Sequence, residues 1–154
     1  MVETSVDGDL AAALPSVDAE AQAVLDLLGV GTCELSLLLC DDATIHPLNR
    51  DYRKKDRPTD VLSFSQLDRP PEAGELLGDI VISVETAARQ AAERGHSLTT
   101  EVRILLVHGI CHLLGYDHER DDDALVMEAK EREIQAKLLA LRCGEIANRD
   151  DDVR

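Results

Sequence analysis

From Ser97 to Leu114 the chain reads Ser-Leu-Thr-Thr-Glu-Val-Arg-Ile-Leu-Leu-Val-His-Gly-Ile-Cys-His-Leu-Leu, and from Val102 to Cys111 it is apolar on most sides of a helix. A helix with that pattern has almost no face to give to water, so the rest of the chain must cover it. Ser97 or Thr99 can cap its start and Gly115 can end it. The fold is therefore expected to form around a central helix.

The covering elements follow from their periodicity. Ser16 precedes Ala19, Ala21, Ala23, Val24, Leu27 and Leu28 at helical spacing, and Gly29 and Gly31 stop that run. Cys33 to Cys40 suits a strand. Asp41 or Asp42 then caps a short helix through Leu48 to about Tyr52, followed by a basic loop closed by Pro58. Asp60 to Ser65 and Leu76 to Val84 read as β-rich segments joined by a stretch containing Pro70, Pro71 and Gly74, which predicts neighbouring strands of one sheet. Glu85 to Arg94 is helical and ends at Gly95. A last amphipathic helix runs from about Asp122 to Arg142, closed by Gly144. Residues 1–16 are small and acidic, with Val2 and Val6 permitting a short edge strand or a loose terminus, and 144–154 read as a second loose terminus with an acidic tail at Asp150 to Asp152. At 154 residues the length predicts one domain, of α+β (mixed α/β) class: about four strands in a mostly mixed sheet, flanked by helices.

The central helix carries chemistry as well. His108 to His118 places three of the five histidines within eleven residues. On a helix His108 and His112 lie ~40° apart around the axis and ~6 Å apart along it, so both imidazoles can reach one ion. Gly115 can reverse the chain and return His118 as a third ligand. Three nitrogens leave one tetrahedral position open, the arrangement of a catalytic zinc site with one ion per chain. The spacing matches the metzincin zinc proteases, but Gly109 stands where those enzymes need Glu as general base, which disfavours peptide hydrolysis. Gly109 also implies that something passes close to the helix there. Cys111, one turn from His108, reads as a small core residue and Met127 as packing beneath the site. Asp117 reads as a turn former able to orient an imidazole, and His46 and His96 as surface or loop histidines.

Charge sets limits on partners. With 16 Lys and Arg against 31 Asp and Glu the net charge is −15, so the chain should not adhere to nucleic acid or anionic membrane non-specifically. A polyanion needs a local reversal of sign. Arg50, Arg53, Lys54, Lys55 and Arg57 supply one, beside only Asp51 and Asp56. Aromatic residues are 2%, so stacking of bases on several rings is disfavoured, with only Tyr52, Phe64 and Tyr116 to serve. No Lys or Arg precedes Arg50 and no apolar run approaches ~18 residues, so the reading is a cytoplasmic protein without a membrane span. Cys33, Cys40, Cys111 and Cys143 form no CxxC pair and are expected to be reduced, buried thiols.

The motif His108 to His118, the residues Leu48-Asn49 and Tyr52-Arg53, the run Arg57-Pro58-Thr59-Asp60-Val61-Leu62-Ser63-Phe64, and Leu77-Gly78-Asp79-Ile80 together resemble the YbeY family of bacterial zinc endoribonucleases, in order and spacing, over residues 34 to 140. Ser65 stands where that family often has Pro. The resemblance implies a small mixed α/β domain with a central metal helix, zinc on His108, His112 and His118, and a functional arginine at Arg53. It implies a single-strand-specific endoribonuclease acting in 16S rRNA maturation and ribosome quality control. Single-stranded RNA, precursor 16S rRNA, the small ribosomal subunit and its assembly factors would be the partners. In such an enzyme Arg53 would neutralise charge developing on the phosphorane, because its planar fork suits phosphate, while Lys54, Lys55 and Arg57 would guide the backbone. Two other readings compete: a zinc hydrolase of another class, metzincin-like protease or small-molecule hydrolase, and a non-catalytic zinc-containing ribosome-assembly factor.

Overall fold

The computed structural model describes residues 2–6, 14, 16–116 and 120–152. Along the chain these form β1 (Val2–Val6), α1 (Val17–Leu27), β2 (Glu34–Cys40), α2 (Asp42–Arg53), β3 (Val61–Ser65), β4 (Leu76–Ser83), α3 (Val84–Arg94), α4 (Leu98–Leu113) and α5 (Asp121–Asp152). The sheet order is β1-β2-β4-β3, with β1 parallel to β2, β2 parallel to β4, and β3 antiparallel to β4. The mixed four-stranded sheet expected from the sequence is thus present, and the two β-rich segments are neighbours in register Val61↔Ile82 to Ser65↔Gly78.

Side chains alternate across the sheet as the pleat requires, and each set is covered by different helices. Leu35, Leu37, Leu39, Val61, Leu77, Ile80 and Ile82 join the main core with α4 and with residues of α1, α3 and α5. Leu62, Val81 and Cys40 form a smaller cluster with Ile45 of α2, against which Leu48 and Phe64 pack. The helix α4 is central, as its apolar run demands, with most of its side chains buried. Its two buried charges are both paired. Glu101, fully buried, takes the Arg94 guanidinium at 2.6 Å and the His96 ring, and Arg103 donates to both carboxylate oxygens of Glu20 at 2.9 and 3.1 Å. Such pairing is what makes a buried charge tolerable. His96 is a loop histidine, as expected, and its ring is part of the clamp joining α3 to α4. Cys33, Cys40 and Cys111 are buried, while the Cys143 side chain lies outside the described ones.

Two helix boundaries and one cap differ from the sequence reading. Ser83 caps α3, its hydroxyl accepting from the Thr86 amide at 3.3 Å, so Val84 belongs to the helix and not to β4. Ser16 precedes α1 without a side-chain capping bond. Gly144 does not close α5, which continues to Asp152, because one interior glycine costs only ~1 kcal/mol and good helix formers flank it. Among the described residues no helix is long and apolar enough to cross a membrane.

At the β3–β4 pairing only glycine fits position 78. A Cβ there would lie 2.2 Å from the Phe64 carbonyl oxygen and 2.9 Å from a methyl of Leu113. The first of these is backbone and cannot swing aside. Gly78→Ala is expected to destabilise the protein by about 2–3 kcal/mol, read as a lowered midpoint in denaturant unfolding. An unchanged midpoint would show that the hairpin yields at no cost.

Candidate metal centre and its basic rim

His108 and His112 fall on one side of α4, one turn apart. His108 is half-buried and His112 exposed. The helix then ends as the glycine predicted. Gly115 is left-handed at φ 99°, its N–H returns to the His112 carbonyl at 3.1 Å, and the Tyr116 N–H returns to the Cys111 carbonyl at 3.2 Å. These two bonds form a Schellman ending, which reverses the chain directly before Asp117 and His118. Both of those residues lie outside the described ones. Among the described residues no three of His, Cys, Asp and Glu converge as a metal set.

Sequence reading passed over the group that orients the first histidine. Glu131 on α5 meets Nδ1 of His108 at 2.7 Å. Its carboxylate raises the His108 pKa above the ordinary imidazole value, with burial opposing the shift, Asp60 adding to it and Arg53 opposing it. A carboxylate on Nδ1 is a pairing that metal-bound histidines commonly show, the metal then lying on Nε2. The donor set therefore fits a zinc ion held by His108 and His112 with one further ligand. A signal for Glu131 was present in the sequence. Met127, Ile134 and Leu138 are the buried stripe of α5, and Glu131 occupies the same stripe, four residues after the first and three before the second. A carboxylate on a buried stripe calls for a partner.

The neighbouring residues behave as packing. Cys111 is fully buried in the main core, and burial pushes its thiol up to about 12. Met127 is buried in the core. Gly109 faces the sheet: a Cβ on it would stand 3.1 Å from Ile80 Cδ1 and 3.2 Å from Ser63 Oγ, and the Ser63 hydroxyl donates weakly to the Gly109 carbonyl at 3.4 Å. What passes close to the helix is thus the sheet itself. A glutamate at this position would be driven into β3 and β4, so the protease base has no room.

The basic stretch is not all loop. Arg50 and Arg53 belong to the last turn of α2, and Lys54 caps it in the left-handed region at φ 60°. Buried Asn49 organises the turn. Its carbonyl accepts the Lys54 and Lys55 amides, and its Nδ2 donates to the Arg57 carbonyl at 2.8 Å. His46, on the helix rather than in a loop, adds a 2.7 Å contact to Asp56. Arg50 is spent on Asp51 and Lys54 donates to the Asp51 carbonyl. Among the described residues the side chains of Arg53, Lys55 and Arg57 have no hydrogen bond or ion pair, so their charge is available to an outside anion.

Comparison with known proteins is consistent across sequence and fold. The family model described as "Endoribonuclease YbeY" matches residues 8–139, a longer span than the motifs alone cover. Relatives carrying that name include one from Pelotomaculum thermopropionicum, 50% identical over 123 residues, covering 77% of this chain and 81% of the relative. Another, from Anaeromyxobacter dehalogenans, is 51% identical over 131 residues, covering 85% and 67%. A third, from Aquifex aeolicus, is 51% identical over 122 residues, covering 78% and 77%. The solution structure of TM1509 from Thermotoga maritima shares the fold, with a TM-score of 0.67, 24% identity, and 94% and 93% of the two chains covered.

Proposed function

The chain belongs to the endoribonuclease YbeY family, and we propose that it is a zinc-dependent endoribonuclease specific for single strands, acting in the cytoplasm on precursor 16S rRNA during small-subunit maturation and quality control. One zinc ion per chain would sit on His108, His112 and His118. Arg53 would be the catalytic arginine. The observation that carries this reading is the pairing of His108 with Glu131, because a carboxylate spent on a half-buried imidazole at metal-ligand spacing is what a metal site needs and what core packing does not.

When bound, zinc lowers the pKa of a coordinated water to about 7 and polarises a phosphoryl oxygen. The chain supplies the rest. Glu131 fixes the ring of His108 and its tautomer, and the Schellman turn at Gly115 reverses the chain as it leaves α4. Arg53 meets the phosphate with two parallel N–H donors and offsets the negative charge that grows on it during cleavage. Lys55 and Arg57 attract the flanking phosphates to a protein that otherwise repels them. The reading as a protease-like zinc hydrolase is weakened by Gly109, whose place against the sheet leaves no space for the required glutamate.

The test is to incubate the purified protein with precursor small-subunit rRNA, with and without a chelator. Cleavage that the chelator abolishes and added zinc restores is expected. Cleavage indifferent to the chelator would sink the metal assignment, and absence of cleavage on any single-stranded RNA would sink the activity. A separate expectation concerns Glu131→Ala, which should weaken zinc binding roughly 10- to 100-fold, measured by competition with a chromophoric chelator. Unchanged affinity would leave Glu131 a helix-packing residue only.

A further inference from the structure

Tyr52 has no place in the metal site, yet its side chain is 66% exposed. Phe64 and Tyr116, the other two aromatics, are only partly exposed. The Tyr52 ring is held in place, since it meets Phe64 with ring centroids 4.9 Å apart and planes 67° apart. An edge-on contact covers at most one face of the ring, so a positioned aromatic face is left open to water.

Its surroundings indicate what covers it. Tyr52 directly precedes Arg53 at the end of α2, in a turn whose cations Arg53, Lys55 and Arg57 are unpaired among the described residues, on a chain of net charge −15. Phe64 and Ser63 lie on β3, an edge strand, and point to opposite faces of the sheet. Ser63 reaches α4 at Gly109, next to His108, while Phe64 reaches Tyr52. A strand crossing the β3 edge would thus run between the stretch of α4 around Gly109, next to His108, and the end of α2 that carries Tyr52 and Arg53. A polyanion with flat aromatic groups fits that sequence of contacts, whereas an apolar protein segment gains nothing from the cations.

We infer that Tyr52 is a stacking platform for one nucleobase of the RNA, beside the nucleotide whose phosphate Arg53 holds. This rests on the endoribonuclease reading and deepens it. Every base has a π-face, so stacking on a single ring tolerates any base, but a base within a duplex has both faces covered by its neighbours. The ring therefore selects for one unpaired base near the cut without reading its identity.

The zinc-loaded protein is given single-stranded oligoribonucleotides in which one abasic nucleotide is moved stepwise across the cleavage position. Wild type is expected to lose roughly 5- to 100-fold in kcat/KM at one position, chiefly through KM, the size of one base–aromatic stack. Tyr52→Ala should show that loss on intact RNA, no further loss on the abasic strand, and unchanged zinc content, and Tyr52→Phe should rescue it. Because the abasic series on wild type needs no substitution, folding of a variant cannot obscure the result. A wild-type KM for Tyr52→Ala, or an abasic penalty that persists in that variant, overturns the inference while the nuclease reading stands. A wild type that cuts no RNA overturns both.

Discussion

His112→Ala is expected to reduce bound zinc from about one per chain to near zero and to lower RNA cleavage by roughly a thousandfold or more, with the fold retained. The separation of these effects follows from where the residue sits. His112 lies near the C-terminal end of α4 with an exposed side chain, so truncation opens no cavity in the core, and alanine is the best helix former. What would be lost is one of the imidazoles proposed to hold the metal. The remaining His108, however well oriented by Glu131, cannot with one further ligand hold zinc against dialysis. Metal analysis, circular dichroism and cleavage of an unstructured RNA measure the three quantities independently. Undiminished zinc in His112→Ala would mean that the metal, if present, sits elsewhere, and loss of helicity would mean that the residue is structural.

The elements of this fold were legible where one physical signal dominated. The run from Val102 to Cys111 could only be a central helix, and the strands β3 and β4 announced themselves by β-branched residues and a Pro/Gly connection. What was not legible depended on how helices are rotated against one another. The spacing of Glu131 with Met127, Ile134 and Leu138 marks the face it shares, but that its partner is His108 depends on how α5 is rotated against α4. The short β1 carries too weak an alternation to announce its parallel pairing with β2, which is settled by the sheet and not by local preference. Arg53 was read onto a loop because charge density marks an exposed segment without saying whether it is coiled. The helix holds through it because the Asn49 carbonyl accepts the amides that follow and its side chain ties down Arg57. Gly109 was the reverse case. Its smallness was correctly read as a sign of close approach, and the sheet supplied the neighbour.

Arg53→Ala is expected to slow RNA cleavage by roughly 10²- to 10³-fold under single-turnover conditions, with zinc content and stability unchanged. The residue ends α2 in an exposed position, without an ion pair or hydrogen bond among the described residues, so its removal disturbs no packing. It directly follows Tyr52, whose ring meets Phe64 of β3, the strand that reaches α4 at Gly109 beside His108. Arg53→Lys separates charge from shape. An ammonium keeps the positive charge but cannot place two parallel donors on a phosphate, so cleavage should remain well below wild type. Lys55→Ala should act differently, weakening RNA binding at all sequences and reducing the salt dependence of binding by about one unit of slope if it contacts one phosphate. Should Arg53→Ala cut RNA at the wild-type rate once bound, the arginine would be a docking residue like its neighbours, and the charge that offsets the developing phosphorane would have to come from the metal alone.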